Sequence, residues 1–429
     1  MATYSFSHAT LEGLDGKALE RIAWLRFGSI INGVEIRMPL RFLTSGESHG
    51  PALVAILEGL PAGLSLTAEL IDRELARRQQ GFGAGPRMEI EQDVVRILGG
   101  LMESVTIGAP LALLIENNDH AHWRGKPVAP FTTPRPGHAD LTGAIKYGYR
   151  DLRPALERAS ARETAARVAV GAVCKHLLAA FEIRVGGYII AIGEVTADLE
   201  TISLEERLAL AEQSEVRCPE PSASREMMVH IHSTMQAGDT LGGVIEVIAL
   251  GLPPGLGSHV HWDRRLDARL GAAVLGVPAI KGVEIGPAFE NARLSGTRVQ
   301  DPICLEDVKL VRTSHRCGGL EGGITTGGPL VVRAAMKPIA TTLTPQRSVD
   351  LASGQEVPTH YQRSDFCPVP RAVPVLESMV AFVLADSLLE KLGGDSMEEI
   401  RPRYAALRQA RLSDLPMQDS EHTFWSDST

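Results

Sequence analysis

The chain has 429 residues, 44% of them hydrophobic and 22% charged, the make-up of an ordinary globular protein. A net charge of −9 argues against nucleic acid as a partner, and no window reaches the ~18 consecutive apolar residues of a membrane span. Cys174, Cys218, Cys304, Cys317 and Cys367 are odd in number, widely spaced and never in a CxxC pair, which excludes a disulfide framework or zinc knuckle and reads as reduced thiols in a cytoplasmic protein.

Residues 1–37 lack both strand alternation and the basic-then-apolar layout of a signal peptide, so they read as an N-terminal extension or the product of a mis-set start. A single domain is expected over 38–412. Gly46-Glu47-Ser48-His49-Gly50-Pro51 forms a tight turn entering a strand over 51–57, closed by Gly59-Leu60-Pro61-Ala62-Gly63. Leu70, Ile71 and Leu75 share one face of a predicted helix over 67–80. Arg77, Arg78 and Arg87 then flank a glycine-rich loop. Such a loop suits a phosphate or carboxylate, but helix-end cations before a flexible loop give the same pattern.

A strand is expected over 110–115. Arg135-Pro136-Gly137-His138-Ala139-Asp140 follows it, a second loop histidine suited to acid–base work or to a structural role. In Glu157-Arg158-Ala159-Ser160-Ala161-Arg162-Glu163-Thr164, a continuous helix from Arg158 to Ala180 would put Arg158 and Arg162 on one face. Anion binding and a solvated Arg–Glu face are both compatible with that string.

Further strands are expected over 187–192, 243–250 and 329–335. Ser203 and Glu206 form a capping-box pattern, and residues 214–225 read as a loop between two halves of the chain. The His230/His232 and His259/His261 pairs lack a third ligand at sensible spacing, so no metal is expected. Arg363-Ser364-Asp365 is either a surface pair or an anion grip beside a base. A helix from Arg371 to Leu392, with Pro374 in its first turn, is closed by Gly393-Gly394, and residues 413–429 form a polar tail.

Two blocks repeat without gaps. Gly50 to Gly63 matches Gly242 to Gly255, and Gly99 to Leu111 matches Gly318 to Leu330 at its Gly and Pro positions. Long helical stretches follow each copy, which points to a duplicated α+β unit. No GxGxxG follows a strand, and neither GxxxxGK[ST] nor GxSxG occurs. From the residues alone, the chain binds a small polyanion with convergent arginines and two loop histidines.

The motifs at 46–51, 135–140, 157–164, 337–341 and 363–374 resemble, in order, those of the chorismate synthase family. The resemblance covers about residues 38–395. It implies that family's α+β fold, with helices sandwiched between antiparallel sheets, an internal pseudo-twofold repeat and assembly as a homotetramer. The implied reaction is a 1,4-anti elimination of phosphate from 5-enolpyruvylshikimate-3-phosphate. It requires reduced FMN, which NADPH reduces in some members, and consumes no net reducing equivalents.

By the same resemblance, His49 protonates the departing phosphate, His138 stabilises the anionic reduced flavin, and Asp365 assists proton removal. Arg78, Arg87, Arg135, Ser160, Arg162 and Arg363 grip the substrate. Arg158, Ala159, Ser160, Pro278, Ala279, Gly322, Lys337, Pro338, Ile339, Ala340, Thr341 and Arg363 line the FMN site. The chain departs from the usual family pattern at Ala84, where Arg is frequent, at Pro278, where Asn is frequent, and at Ser364, where His is frequent.

Overall fold

The structure is a computed structural model that describes residues 40–83, 92–362 and 364–422. Arg87, Ala84, Arg363, the 1–37 extension and the last seven residues of the expected tail lie outside the described residues.

Two antiparallel sheets carry the core strands. In the first, β1 (Arg41–Ser45), β2 (Ala52–Glu58), β3 (Val95–Gly99) and β6 (Leu111–Glu116) run in the order β1-β2-β6-β3, with the hairpin β4 (Leu101–Met102) and β5 (Val105–Thr106) inserted after β3. In the second, β7 (Arg184–Ile192), β8 (Val195–Thr196), β9 (Gly243–Leu250), β10 (Ile280–Ile285) and β15 (Leu330–Met336) run β10-β15-β9-β7-β8. Between β10 and β15 lie the hairpins β11 (Ile303–Glu306)–β12 (Lys309–Arg312) and β13 (Leu320–Glu321)–β14 (Ile324–Thr325). The last hairpin, β16 (Arg347–Asp350)–β17 (Gln355–Pro358), follows β15.

The strand orders β1-β2-β6-β3 and β7-β9-β15-β10 are the same order in two copies. The repeat read in the sequence reaches down to single hydrogen bonds. Thr106 Oγ1 donates to Pro61 O at 2.6 Å and accepts from Leu64 N at 2.9 Å; Thr325 Oγ1 donates to Pro253 O at 2.7 Å and accepts from Leu256 N at 2.8 Å. In both copies a buried threonine clamps the GLPxG turn to the hairpin that follows the third strand.

The helices are α1 (Ala68–Gln79), α2 (Asp140–Tyr147), α3 (Arg153–Arg158), α4 (Thr164–Ala179), α5 (Leu204–Ala211), α6 (Pro221–Gln236), α7 (Leu266–Leu275), α8 (Val369–Leu392) and α9 (Met397–Ala405), together with several shorter turns. They are arranged around a central layer of α1, α4 and α8 that lies between the sheets. α4 packs on β1, β2 and β6; α8 packs on β7 and β9; and the two helices pack on each other. This is the expected sandwich. α8 is long and apolar enough to cross a membrane by length and composition, but 89% of its most apolar window is buried inside the protein, so it is a core helix.

Where α4 and α8 cross, Gly171 meets Ser378 so closely that a Cβ on the glycine would lie 2.5 Å from the Ser378 Cα. The close approach of the two core helices therefore depends on the missing side chain.

Several local expectations change. Ser203 and Glu206 do form a reciprocal capping box, and Gly393 ends α8 at φ 62°. The stretch from Arg158 to Ala180, however, is not one helix. α3 stops at Arg158, and Ser160 turns extended (φ −70°, ψ 143°) to cap a short 3-10 turn leading into α4. The 214–225 segment is a loop only as far as Glu220, because Pro221 starts α6. It also lies inside the second half rather than between the halves. α8 begins at Val369, so Pro370 occupies the first turn and Pro374 sits in the helix interior, where its ring nitrogen has no proton to donate.

Four elements meet at one buried carboxylate. Glu377 of α8 accepts from Arg77 of α1 at 2.8 Å, from Lys175 of α4 at 2.9 Å and from the Gly187 backbone N–H of β7 at 2.8 Å. Burial alone would raise this carboxyl, but Lys175 and Arg77 hold it down to about 2. Arg77, read from sequence as an anion-site candidate, is thus a structural cation. A carboxyl with a depressed folded-state value contributes stability that is complete above its unfolded value of 4.5 and is lost as pH falls towards about 2. Glu377→Gln removes the buried carboxylate of a network in which half-buried Arg77 and Lys175 keep Glu74, and Arg77 also Glu212, and is expected to lower unfolding stability by about 1–3 kcal/mol at neutral pH. Urea titrations across pH 2–7 check this: the wild-type and variant curves should converge towards the acid end, and curves parallel across the range would contradict the assignment.

Candidate active site

The loop between β1 and β2 carries His49. Gly46 opens it at φ 115°, with its α-carbon so near Ala52 that a Cβ would lie 2.4 Å from the Ala52 carbonyl oxygen, so only glycine fits. Asn117, just beyond β6, donates to Glu47 O at 3.1 Å and Gly50 O at 2.8 Å and so closes the loop. The His49 ring lies between two acids. Nδ1 is 2.8 Å from Glu157 Oε1, and Nε2 is 3.9 Å from Asp119 Oδ2. Trp123 lies alongside with ring centroids 4.6 Å apart. His120 Nδ1 is 3.0 Å from the His49 carbonyl oxygen.

Beneath the loop, Asp93 is buried between two of the expected anion-gripping residues. Arg162 Nη1 donates to Asp93 Oδ1 at 2.5 Å, and Arg78 Nη1 donates to Asp93 Oδ2 at 3.2 Å. Arg162 also donates to Asn117 Oδ1 at 2.7 Å, while Arg78 donates to Thr164 Oγ1 and Ala161 O at 3.1 Å each. Arg78 is 4% exposed and Arg162 6% exposed. Both guanidinium groups therefore brace the loop that holds His49. Burial and the nearby Arg371 push Arg78 down to about 9, which leaves it charged at neutral pH.

Asp365 pairs with Arg371 at 2.5 Å, and Arg371 Nε donates to Arg78 O at 3.3 Å, which brings the third expected catalytic residue to the same cluster. Among the described residues, Arg78, Arg162 and Arg371 face Asp93 and Asp365 here, three cations against two anions. This local excess suits an anionic ligand and opposes the global charge.

The break at Ser160 separates Arg158 from Arg162, so the two do not share a helix face. Arg158 reaches outward to Thr44 O at 3.2 Å and Gly46 O at 3.4 Å. Ser160 donates to Ser48 Oγ at 3.1 Å, and Ala159 ends α3. Three of the residues expected at the cofactor thus stand with the His49 loop.

His138 lies at the start of α2. Its Nδ1 is 2.6 Å from Asp140 Oδ1, and Arg135 donates to the same carboxylate through its backbone N–H at 3.0 Å and Nε at 2.8 Å. Burial would raise the Asp140 carboxyl, yet the bonds from Arg135 and His138 hold it well below the ordinary carboxylate range. His138 Nδ1 thus faces both the Asp140 carboxylate and, at 3.0 Å, Arg135 Nη2, and these two groups hold the ring in place. The β16–β17 hairpin supports this loop, Ser348 Oγ donating to Pro134 O at 2.5 Å.

The other expected cofactor residues gather in the second half. Lys337 N donates to Ala279 O at 3.0 Å, and Ala279 holds a left-handed backbone at φ 68°, a strained setting for a residue with a side chain. Pro278 precedes it. Beyond Lys337, Pro338 to Thr341 turn back across the sheet end, with Thr240 Oγ1 donating to Ile339 O at 3.0 Å. A Cβ on Gly137 would stand 3.7 Å from Lys337 Nζ, so the His138 turn adjoins this group. Burial and Lys281 lower the Lys337 ammonium, and no carboxylate pairs with it among the described residues. A half-buried cation lacking a counter-ion, beside a histidine already oriented, fits the phosphate or the anionic reduced ring of a flavin. Gly322 lies elsewhere, on the β13–β14 turn beside His259. Among the described residues, no group of three or more His, Cys, Asp and Glu is placed to hold a metal.

Sequence reasoning gave no role to Glu157, Asp93, Asn117, Asp119 or Asp140. Glu157 and Asp140 lie inside motifs already singled out. Asn117-Asn118-Asp119-His120 is a polar string straight after a buried strand, a signal that could have marked it as site-lining.

Comparison with known proteins identifies the family. The family model described as chorismate synthase matches residues 40–389. A chorismate synthase of Trichlorobacter lovleyi is 52% identical over 379 residues, covering 84% of this chain and 97% of that protein. One from Aquifex aeolicus is 52% identical over 383 residues, covering 85% and 96%. A crystal structure of a chorismate synthase superposes with a TM-score of 0.71 at 45% identity, covering 86% of this chain and 97% of that one. The chain belongs to the chorismate synthase family.

Proposed function

We propose that this lyase eliminates phosphate from 5-enolpyruvylshikimate-3-phosphate to give chorismate with reduced FMN as cofactor, and that NADPH serves only as a source of electrons for the flavin. The observation that carries the reading is the His49 loop, an oriented imidazole set over a buried cluster with excess positive charge. In the reaction a C–O bond to phosphate breaks, a C–H bond breaks and a C=C bond forms, without net oxidation. The C–H bond has no neighbouring carbonyl to acidify it, so a side-chain base alone faces a high barrier. Reduced flavin, when bound, supplies the electron density that lets phosphate depart first.

The chain's own residues divide the remaining work. His49 donates a proton to the departing phosphate oxygen. The arginine cluster and, by the family resemblance, Arg87 and Arg363 attract the substrate's phosphate and carboxylates. Asp365, ion-paired with Arg371, assists removal of the proton lost from carbon. Lys337, with His138 held by Asp140, favours a negative charge on the cofactor; Pro278, Ala279 and Pro338 to Thr341 shape its seat. Arg158, Ala159 and Ser160, which stand with the His49 loop, are by the family resemblance also part of the cofactor site.

The homotetramer implied by the family resemblance is also part of the proposal. The outer face of the second sheet is covered by α5, which buries Tyr188 and Ile248. The matching face of the first sheet exposes Leu43, Ile56 and Leu98, with the ion pairs Arg41–Glu58 and Arg96–Glu116 on the same strands. A second copy docked about a twofold axis would cover these residues and match charge with charge. Light scattering is expected to give four times the chain mass of 46.1 kDa, and a single-chain mass would contradict the assembly.

The acid role predicts that His49→Ala binds flavin and substrate normally while turnover falls by about 10²–10⁴-fold. Rapid-mixing kinetics under anaerobic conditions, alongside ligand titrations, make the check. Turnover equal to wild type would remove His49 from the chemistry.

A further inference from the structure

We propose that Glu157 is the positioning residue of His49, fixing the imidazole with its Nδ1 proton turned into α3 so that Nε2 is the atom presented to the departing phosphate. The inference rests on the reading of His49 as the acid.

One residue holds the turn at three points. Glu157 Oε1 is 2.8 Å from His49 Nδ1, Glu157 Oε2 accepts from the His49 backbone N–H at 2.8 Å, and the Glu157 carbonyl accepts from Ser48 N at 3.2 Å. Burial would raise the Glu157 carboxyl, but the side-chain and backbone bonds of His49 lower it, with Arg153 acting in the same sense. An ionised carboxylate offers only acceptors, so the ring nitrogen facing it must carry a proton. This is the carboxylate–imidazole arrangement that sets the tautomer and ring direction in acid–base sites generally.

The other groups around the ring confirm its setting and do not compete for Nδ1. Asp119, on the segment after β6, faces Nε2 at 3.9 Å, beyond hydrogen-bond reach, and accepts from Trp123 Nε1 at 3.1 Å. His122 stands 3.5 Å from the same carboxylate, and His120 bonds the His49 backbone rather than its ring. The Trp123 ring, tilted at 50°, walls one face of the imidazole. When Nε2 gives its proton to phosphate, the ring stays held through Nδ1 and takes a new proton from solvent at the same atom.

A residue that merely pinned the loop would act through the backbone bond alone. Glu157→Gln separates the two effects, because the amide oxygen can still accept from the His49 N–H while its NH₂ group opposes an Nδ1 proton. The measurement is ¹⁵N NMR of full-length protein labelled at histidine imidazole nitrogens, with the His49 signals assigned by comparison with His49→Gln. Wild type is expected to show the neutral His49 ring protonated at Nδ1, and Glu157→Gln to move that proton to Nε2. In the same variant kcat should fall about 10–100-fold, the range typical when a histidine loses its orienting partner, with KM changed by less than about threefold. An unaltered tautomer in Glu157→Gln overturns the proposal even if kcat falls, since the residue would then only support the loop. Should that variant not fold, the wild-type spectrum decides, and a ring protonated at Nε2 overturns the proposal. The tautomer is read without turnover, so an active His49→Ala enzyme would sink the acid role and leave the positioning result standing.

Discussion

The site depends first on the carboxylate of Asp93, buried between the guanidinium groups of Arg78 and Arg162. A buried ion that loses its partner is costly, so this bridge holds its three residues to one geometry. Through Arg78 it ties the end of α1 to the start of α4; through Arg162 it reaches Asn117, which closes the His49 loop from below. A loop rich in glycine and polar residues gains little from apolar packing, and here the rigidity that acid–base chemistry needs comes from a buried polar network. The same arginines supply a positive field without being the exposed groups that a ligand would meet first.

The duplication explains why chemistry collects at two places of the same kind. In the first half, the segment after β6 provides Asn117, Asp119 and His120 beside the loop that enters β2. In the second half, the segment after β15 provides Lys337 to Thr341 beside Thr240, in the loop that enters β9. One copy carries the His49 loop and the other Lys337, which has no carboxylate partner among the described residues. The α4–α8 crossing at Gly171 and Ser378 joins the halves that bear them. The fold thus supplies two equivalent positions, and divergent side chains give each its own task.

Much of this was legible in the sequence. Alternation and turn residues marked β2, β6, β9 and β15, and the ungapped blocks marked the repeat, because both depend on local backbone demands. The two histidines stood out by their loop settings, but their roles and that of Asp365 came only from the family resemblance. What escaped was whatever depends on distant partners. Arg77 and Arg78 look alike in sequence, yet one neutralises Glu377 in the core and the other Asp93 beneath the site. Arg158 and Arg162 show a helical spacing that Ser160 cancels by capping a new turn, a choice made by its bond to Ser48 more than a hundred residues away. Pro374 fits a first turn by rule but sits deeper, because Val369 and Pro370 are already helical where they pack into the core.

The central claim is that this chain couples an oriented acid and a cationic cluster to a reduced flavin in one elimination. Its most direct test is anaerobic incubation of the purified protein with 5-enolpyruvylshikimate-3-phosphate and dithionite-reduced FMN, following chorismate absorbance and phosphate release together. The account predicts chorismate and phosphate in equal amounts, and only when reduced flavin is present. Product formed without flavin, or no product when both ligands are shown to be bound, would contradict it.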